Sequence, residues 1–119
     1  MEKKFLKKLT FMNVPLMTGE GTFSCEKISV EAARVLCAEA DEIGSAIGHQ
    51  GAAEAIELLL GVKCPVNRVD YVQPMGETVI ALKLKSRMPE GCGNLTLEVM
   101  EQIGFVFYRI ERIQCYCQG

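Results

Sequence analysis

Residues 66–85 read VNRVDYVQPMGETVIALKLK, and their reading decides the fold class. The second half, residues 78–85, is rich in β-branched and aliphatic residues and alternates Leu82 and Leu84 with Lys83 and Lys85. Period-two alternation of this kind marks a strand with one apolar and one polar face. The first half, residues 66–73, reads as a second strand, with Pro74-Met75-Gly76 turning between the two as a hairpin. Helical periodicity lies on both sides of this pair, so an all-α or all-β chain is excluded.

Upstream, residues 49–60 place small and apolar side chains at helical spacing, and Gly61 is the expected stop. Ser29 reads as the cap of an earlier helix running to Ala40, with Glu31 in its first turn and Ala32, Val35, Leu36 and Ala40 on its apolar face. Residues 45–49 (SAIGH) form a tight connection between the two helices. Before them, residues 9–16 (LTFMNVPL) read as a strand terminated by Pro15, and residues 18–27 as a loop turning at Gly19 and Gly21. Downstream, residues 87–94 (RMPEGCGN) form a loop, Thr96 caps a short helix ending at Gly104, and residues 105–113 (FVFYRIERI) make a last strand. The expected order is β-α-α-β-β-α-β. Residues 1–119 are thus expected to form one α/β domain, a mixed sheet of about four or five strands flanked by helices.

Composition narrows the function. Thirteen Lys and Arg against fifteen Asp and Glu give −2, and there is one histidine, His49. One histidine cannot build a three-histidine zinc site or a histidine-cluster pH sensor. The charge excludes a strongly basic nucleic-acid coat, so no long nucleic acid is expected as partner. The six cysteines are too dilute for a disulfide-stapled framework and are expected as reduced, mostly buried small hydrophobes. Cys115-x-Cys117 is an incidental pair unless further ligands join it. No metal or cofactor is implied. The first fifteen residues lack a sustained apolar stretch, and no run of about 18 apolar residues occurs anywhere, so a cytoplasmic chain with no membrane span is expected. Lys3, Lys4, Lys7 and Lys8 read as a solvated end.

Three groups of residues could carry chemistry. His49 stands at a helix start among Ser45, Ala46, Gly48 and Gly51, small residues that let a ligand approach the backbone. Free N–H groups there favour an anion, and a histidine facing a phosphodiester can act as general acid or base. The plainer alternative is a partly buried histidine bonded to a carbonyl. Lys83, Lys85 and Arg87 alternate, so a strand puts all three cations on one face: a binding surface, or simply the solvated one. Arg87 and Glu90 could clamp a phosphate and orient a nucleophile, or form a surface pair contributing little.

SAIGH (45–49), LLLG (58–61), PVNR (65–68), RMPEG (87–91) and IGF (103–105) occur in that order. Together they resemble the viral anti-CRISPR ring nucleases that act against type III systems, a family first seen in archaeal viruses and found also in bacteria and phages. The resemblance spans residues 43–113. It implies a homodimer that binds cyclic tetra-adenylate, the messenger of type III CRISPR complexes, and cuts it without a metal to linear di-adenylates with 2′,3′-cyclic phosphate ends. His49, Arg87 and Glu90 match the family's catalytic residues. Asn13, at the end of the opening strand, and Gly91, in a loop that folds over the ring, match ligand-side positions. Ser45, Gly48, Lys83 and Lys85 complete the expected substrate contacts. Residues 14–28 depart from the family pattern, as does Gln50, where members often carry Glu. Sequestration of the messenger without turnover, or a structural α/β dimer with no nucleotide role, are the alternative functions.

Overall fold

The computed structural model describes residues 6–12, 21–69, 71–74, 76–86 and 96–114. Five strands and three helices alternate as β1 (Leu6–Met12), β2 (Thr22–Ile28), α1 (Val30–Glu39), β3 (Ala40–Ser45), α2 (Gln50–Leu60), β4 (Thr78–Leu84), α3 (Leu97–Ile103) and β5 (Phe105–Gln114). They build one mixed sheet in the order β2-β5-β4-β1-β3. β1 is parallel to both β3 and β4, whereas β5 is antiparallel to β4 and β2. The α/β class and the mixed, helix-flanked sheet agree with the expectation from sequence.

The centre of the sheet explains itself. Every residue from Thr78 to Leu82 is buried, because β4 lies between β1 and β5 and is covered on both faces. On one face Leu9, Phe11, Ile80, Leu82 and Phe107 pack with Ala33, Leu36 and Cys37 of α1, Ala52, Ile56 and Leu59 of α2, and Met100 and Ile103 of α3. Phe11 and Phe107 are at most 1% exposed, and burying such a side chain contributes about 1.5–3 kcal/mol. On the other face Met12, Val79, Ala81 and Ile110 form a smaller cluster covered partly by Phe23, Ala46, Tyr71 and Tyr108. Among the described residues no helix supplies this second cover; Tyr71 brings part of it from the chain between α2 and β4, where Gln73, 1% exposed, donates to the carbonyls of Glu77 and Ile110.

Helix punctuation follows local rules. The Ser29 hydroxyl accepts from Ala32 N at 3.0 Å, and Thr96 accepts from Val99 N at 3.2 Å. Gly61 closes α2 in the left-handed region, φ 71°, where a side chain would be strained. Arg34 reinforces that end: its Nε and one terminal nitrogen both donate to Leu59 O, at 3.0 and 2.8 Å.

Four expectations need correcting. Residues 22–28 are strand β2 rather than loop, and residues 40–45 are strand β3 rather than helix end and connection. Both are sheet edges. An edge strand has little to bury, so β2 shows no apolar alternation, and β3 carries Asp41, Glu42 and Gly44, poor strand formers that pairing with β1 overrides. The described residues of 66–73 form no strand. Val66, Val69 and Val72 recur every third residue, not every second, and stay 43%, 53% and 59% exposed. In α1 the buried stripe is Ala33, Leu36 and Cys37, while Val35 faces solvent at 55% exposure. The part of the expected first strand beyond Met12 lies outside the described residues. Among the described residues no helix is long and apolar enough to cross a membrane.

Candidate functional site

Because β1, β3 and β4 are mutually parallel, their C-terminal ends share one edge of the sheet, the edge where open α/β sheets place their ligands. The connection from β3 to α2 leaves from there. Ala46 N donates to Phe11 O at 2.9 Å, closing the β1–β3 ladder. Ile47, fully buried, then anchors the chain in the helix-side core. His49 follows as the first flanking residue of α2, in extended backbone (φ −130°, ψ 125°).

A second segment laces this connection. Ser45 Oγ donates to Pro65 O at 2.6 Å and accepts from Ile47 N at 3.2 Å. Asn67 Nδ2 donates to Ser45 O at 2.8 Å, and Asn67 N donates to Ile47 O at 2.7 Å. Arg68 Nε donates to Gly48 O at 2.8 Å. Residues 45–48 and 65–68 are thus joined residue by residue, although neither is a strand partner of the other. Glycine at 48 is required by this contact, since a Cβ there would come within 2.7 Å of Arg68 Cγ. Cys64 Sγ lies 3.8 Å from Ser45 Oγ. Burial pushes the Cys64 thiol up in pKa, and its bond to Ser45 opposes this in part. Burial likewise pushes the Cys37 thiol up to about 11, with Cys64 adding to the effect.

Ala46, Gly48, Arg68 and Val69 line an open cavity of about 350 Å³. His49 is exposed beside it, and its imidazole makes no capping bond to α2. No acidic residue stands in the first turn of α2. Among the described residues, its first N–H groups therefore have neither an N-cap side-chain bond nor a first-turn carboxylate, and they carry the positive end of the helix dipole. Arg68 is exposed and, among the described residues, has no carboxylate within ion-pair distance. The arrangement can hold an anion at the helix start, pair it with a guanidinium, and present an imidazole to it.

The structure thus brings Ser45, Gly48 and His49 together. Ser45 is buried with its hydroxyl engaged by Pro65 and Ile47, so it holds the loop's shape. Lys83 and Lys85 lie elsewhere on the same edge. β4 is separated from β3 by β1, two strand spacings, about 10 Å. Lys83 is exposed while Leu82 beside it is buried, as alternation predicts. Lys85 passes the end of β4: its N donates to Gly104 O at 2.9 Å and its side chain lies over Gly104. Asn13, Arg87, Glu90 and Gly91 lie outside the described residues. Sequence reasoning assigned no role to Asn67 or Arg68, although both stand in the PVNR stretch. The available signal was that two polar residues follow a proline in a segment too irregular to be a strand. Among the described residues no group of three or more His, Cys, Asp or Glu side chains could hold a metal.

Comparison with known proteins shows the family and the fold. A profile of the STIV B116-like family matches residues 9–107. The chain is 37% identical over 107 residues to uncharacterized protein ORF117 of Acidianus two-tailed virus, covering 89% of this chain and 92% of that one. It is 27% identical over 107 residues to uncharacterized protein YddF of Bacillus subtilis, covering 89% of this chain and 98% of the relative. Among solved structures, B116 of Sulfolobus turreted icosahedral virus superposes with a TM-score of 0.69 at 21% identity, over 88% of this chain and 99% of B116, and shares the fold. The chain belongs to the STIV B116-like family.

Proposed function

We propose that the protein is a metal-independent ring nuclease that opens cyclic tetra-adenylate and so switches off type III CRISPR signalling. The observation that carries this reading is the start of α2, where exposed His49 and the uncapped N–H groups follow directly on Gly48, which lines a small open cavity together with Ala46, Arg68 and Val69. The substrate class comes from the resemblance in SAIGH, PVNR and RMPEG, and relatives in archaeal viruses and a bacterium are in keeping with it.

The chemistry needs no protein nucleophile. A ribose 2′-oxygen loses its proton and attacks the adjacent phosphorus in line. The bond from phosphorus to the 5′-oxygen breaks, leaving a 2′,3′-cyclic phosphate, and the 5′-oxygen takes a proton from the His49 imidazolium. The N–H groups of α2, with Arg68 and Arg87, stabilise the added charge on the non-bridging oxygens. Glu90 orients or deprotonates the 2′-hydroxyl. Lys83 and Lys85, farther along the same edge, meet phosphates elsewhere on the ring. A two-fold dimer supplies two copies of His49 to two opposite linkages of a four-fold ring.

The test is direct. Labelled cyclic tetra-adenylate is incubated with the protein in EDTA and the products are separated. Linear di-adenylate from wild type but not from His49→Ala is the expected result. Tight binding without product would replace the enzyme with a sequestering protein, and no binding would remove any nucleotide role. A monomer by light scattering at micromolar concentration would refute the shared site.

A further inference from the structure

We propose that Asn67 is a positioning residue for His49, an assignment that rests on reading His49 as the proton donor. Two carbonyls, those of Ser45 and Ile47, point to the same side of an extended chain, and Asn67 takes both: one with its backbone N–H at 2.7 Å, the other with its side-chain amide at 2.8 Å. The side chain stands in for the N–H that a neighbouring strand would present. It thereby prolongs sheet-like pairing past the point where the β1 ladder ends at Ala46. This pairing sets the direction in which the chain enters α2, and hence the backbone angles at His49, two residues beyond Ile47. Among the described residues no capping bond of the imidazole fixes its placement. That placement is inherited from the backbone, and Asn67 holds that backbone from a segment 22 residues away in sequence.

The residue type matters. An aspartate has the same shape but cannot donate, and its carboxylate would face the Ser45 carbonyl. A glutamine keeps the donor on a longer arm. Asn67 is exposed and belongs to neither core cluster, so these substitutions leave the packing of the sheet and helices in place.

The experiment compares wild type, Asn67→Asp and Asn67→Gln, with Thr96→Ala as a control that removes a capping bond at the start of another helix, α3. His49 is the only histidine, so its ring protons are identified in an NMR spectrum without further assignment. Asn67→Asp is expected to stay folded, to displace and broaden the His49 ring signals, and to lower kcat about 100-fold with KM unchanged, the loss typical of a catalytic group displaced by about 1 Å. Asn67→Gln is expected to recover part of both. Thr96→Ala should move neither. Wild-type ring signals in Asn67→Asp, or a kcat lowered no more than in Thr96→Ala, would overturn the assignment. If the wild type cuts no cyclic tetra-adenylate, the enzyme reading fails by itself, and the ring signals alone still decide whether Asn67 places His49.

Discussion

The three helices begin in two different ways. α1 opens on Ser29, whose hydroxyl accepts from Ala32 N, with Glu31 in the first turn; α3 opens on Thr96, with Glu98 in its first turn. α2 opens on His49, with no capping bond and no acid in its first turn. A side-chain cap contributes about 0.5–2 kcal/mol, and a first-turn acid about 0.3–1 kcal/mol. Among the described residues, the chain thus satisfies two helix starts by the ordinary means and leaves the third open, next to a residue, Gly48, that lines a cavity. A local rule kept twice and broken once points to function at the exception.

The largest test of this contrast is His49→Ala. Loss of a general acid lowers kcat by about 10²–10⁴-fold, while the melting temperature should stay near that of wild type, because the imidazole is exposed and caps nothing. Ser29→Ala should do the reverse, lowering stability by about 1 kcal/mol in a denaturant titration and leaving kcat alone. Gly48→Ala comes next. Its Cβ must displace Arg68, so KM for cyclic tetra-adenylate should rise about tenfold, equivalent to 1.4 kcal/mol, with little change in folding. His49→Asp sharpens the comparison, since it makes α2 resemble α1. Denaturant midpoints should show stability rising by about 1 kcal/mol while cleavage is lost. A single variant that gained a cap and kept its activity would dissolve the contrast.

The smallest effect is at Cys37 in α1, in the core behind the site. The Cys37 thiol is pushed from the usual 9.0 to about 11 by burial. The unfolded chain releases this proton near pH 9 and the folded chain only near pH 11, so between those values the unfolded state binds fewer protons and stability falls as pH rises. Below pH 9 the contribution is intact. Denaturant midpoints measured from pH 8 to 11 should decline less steeply for Cys37→Ala than for wild type.

Much of the scaffold was legible because its signals are local. Ser29, Thr96, Gly61 and Gly104 punctuate helices through bonds to residues within four positions. β4 announces itself by apolar composition because it is buried, and β5 by its aromatic and β-branched residues. β2 and β3 were misread for the opposite reason, since edge strands take their conformation from a partner rather than from their own residues. Within the site, His49 stood out as a lone imidazole among small residues. Asn67 and Arg68 did not, because their bonds reach back 22 and 20 residues to a loop whose proximity no periodicity encodes. Lys83 lies on the exposed face of β4 as alternation predicts, whereas Lys85 stands past the strand's end, and the distance of both from His49 depends on strand order, which alternation cannot supply.

The described residues between α2 and β4 form no helix or strand, yet this chain is fastened at both ends. Pro65, Asn67 and Arg68 are tied to the His49 loop, while Tyr71 donates to Glu77, which also accepts from Thr10, and Gln73 reaches Ile110. Its length is therefore constrained more tightly than its residues. The exposed valines at 66, 69 and 72 can change to other side chains, but one inserted or deleted residue between Arg68 and Gln73 would pull either the site or the sheet cover out of register. Among relatives, this stretch should tolerate substitution and reject gaps, the opposite of what an irregular surface loop ordinarily does.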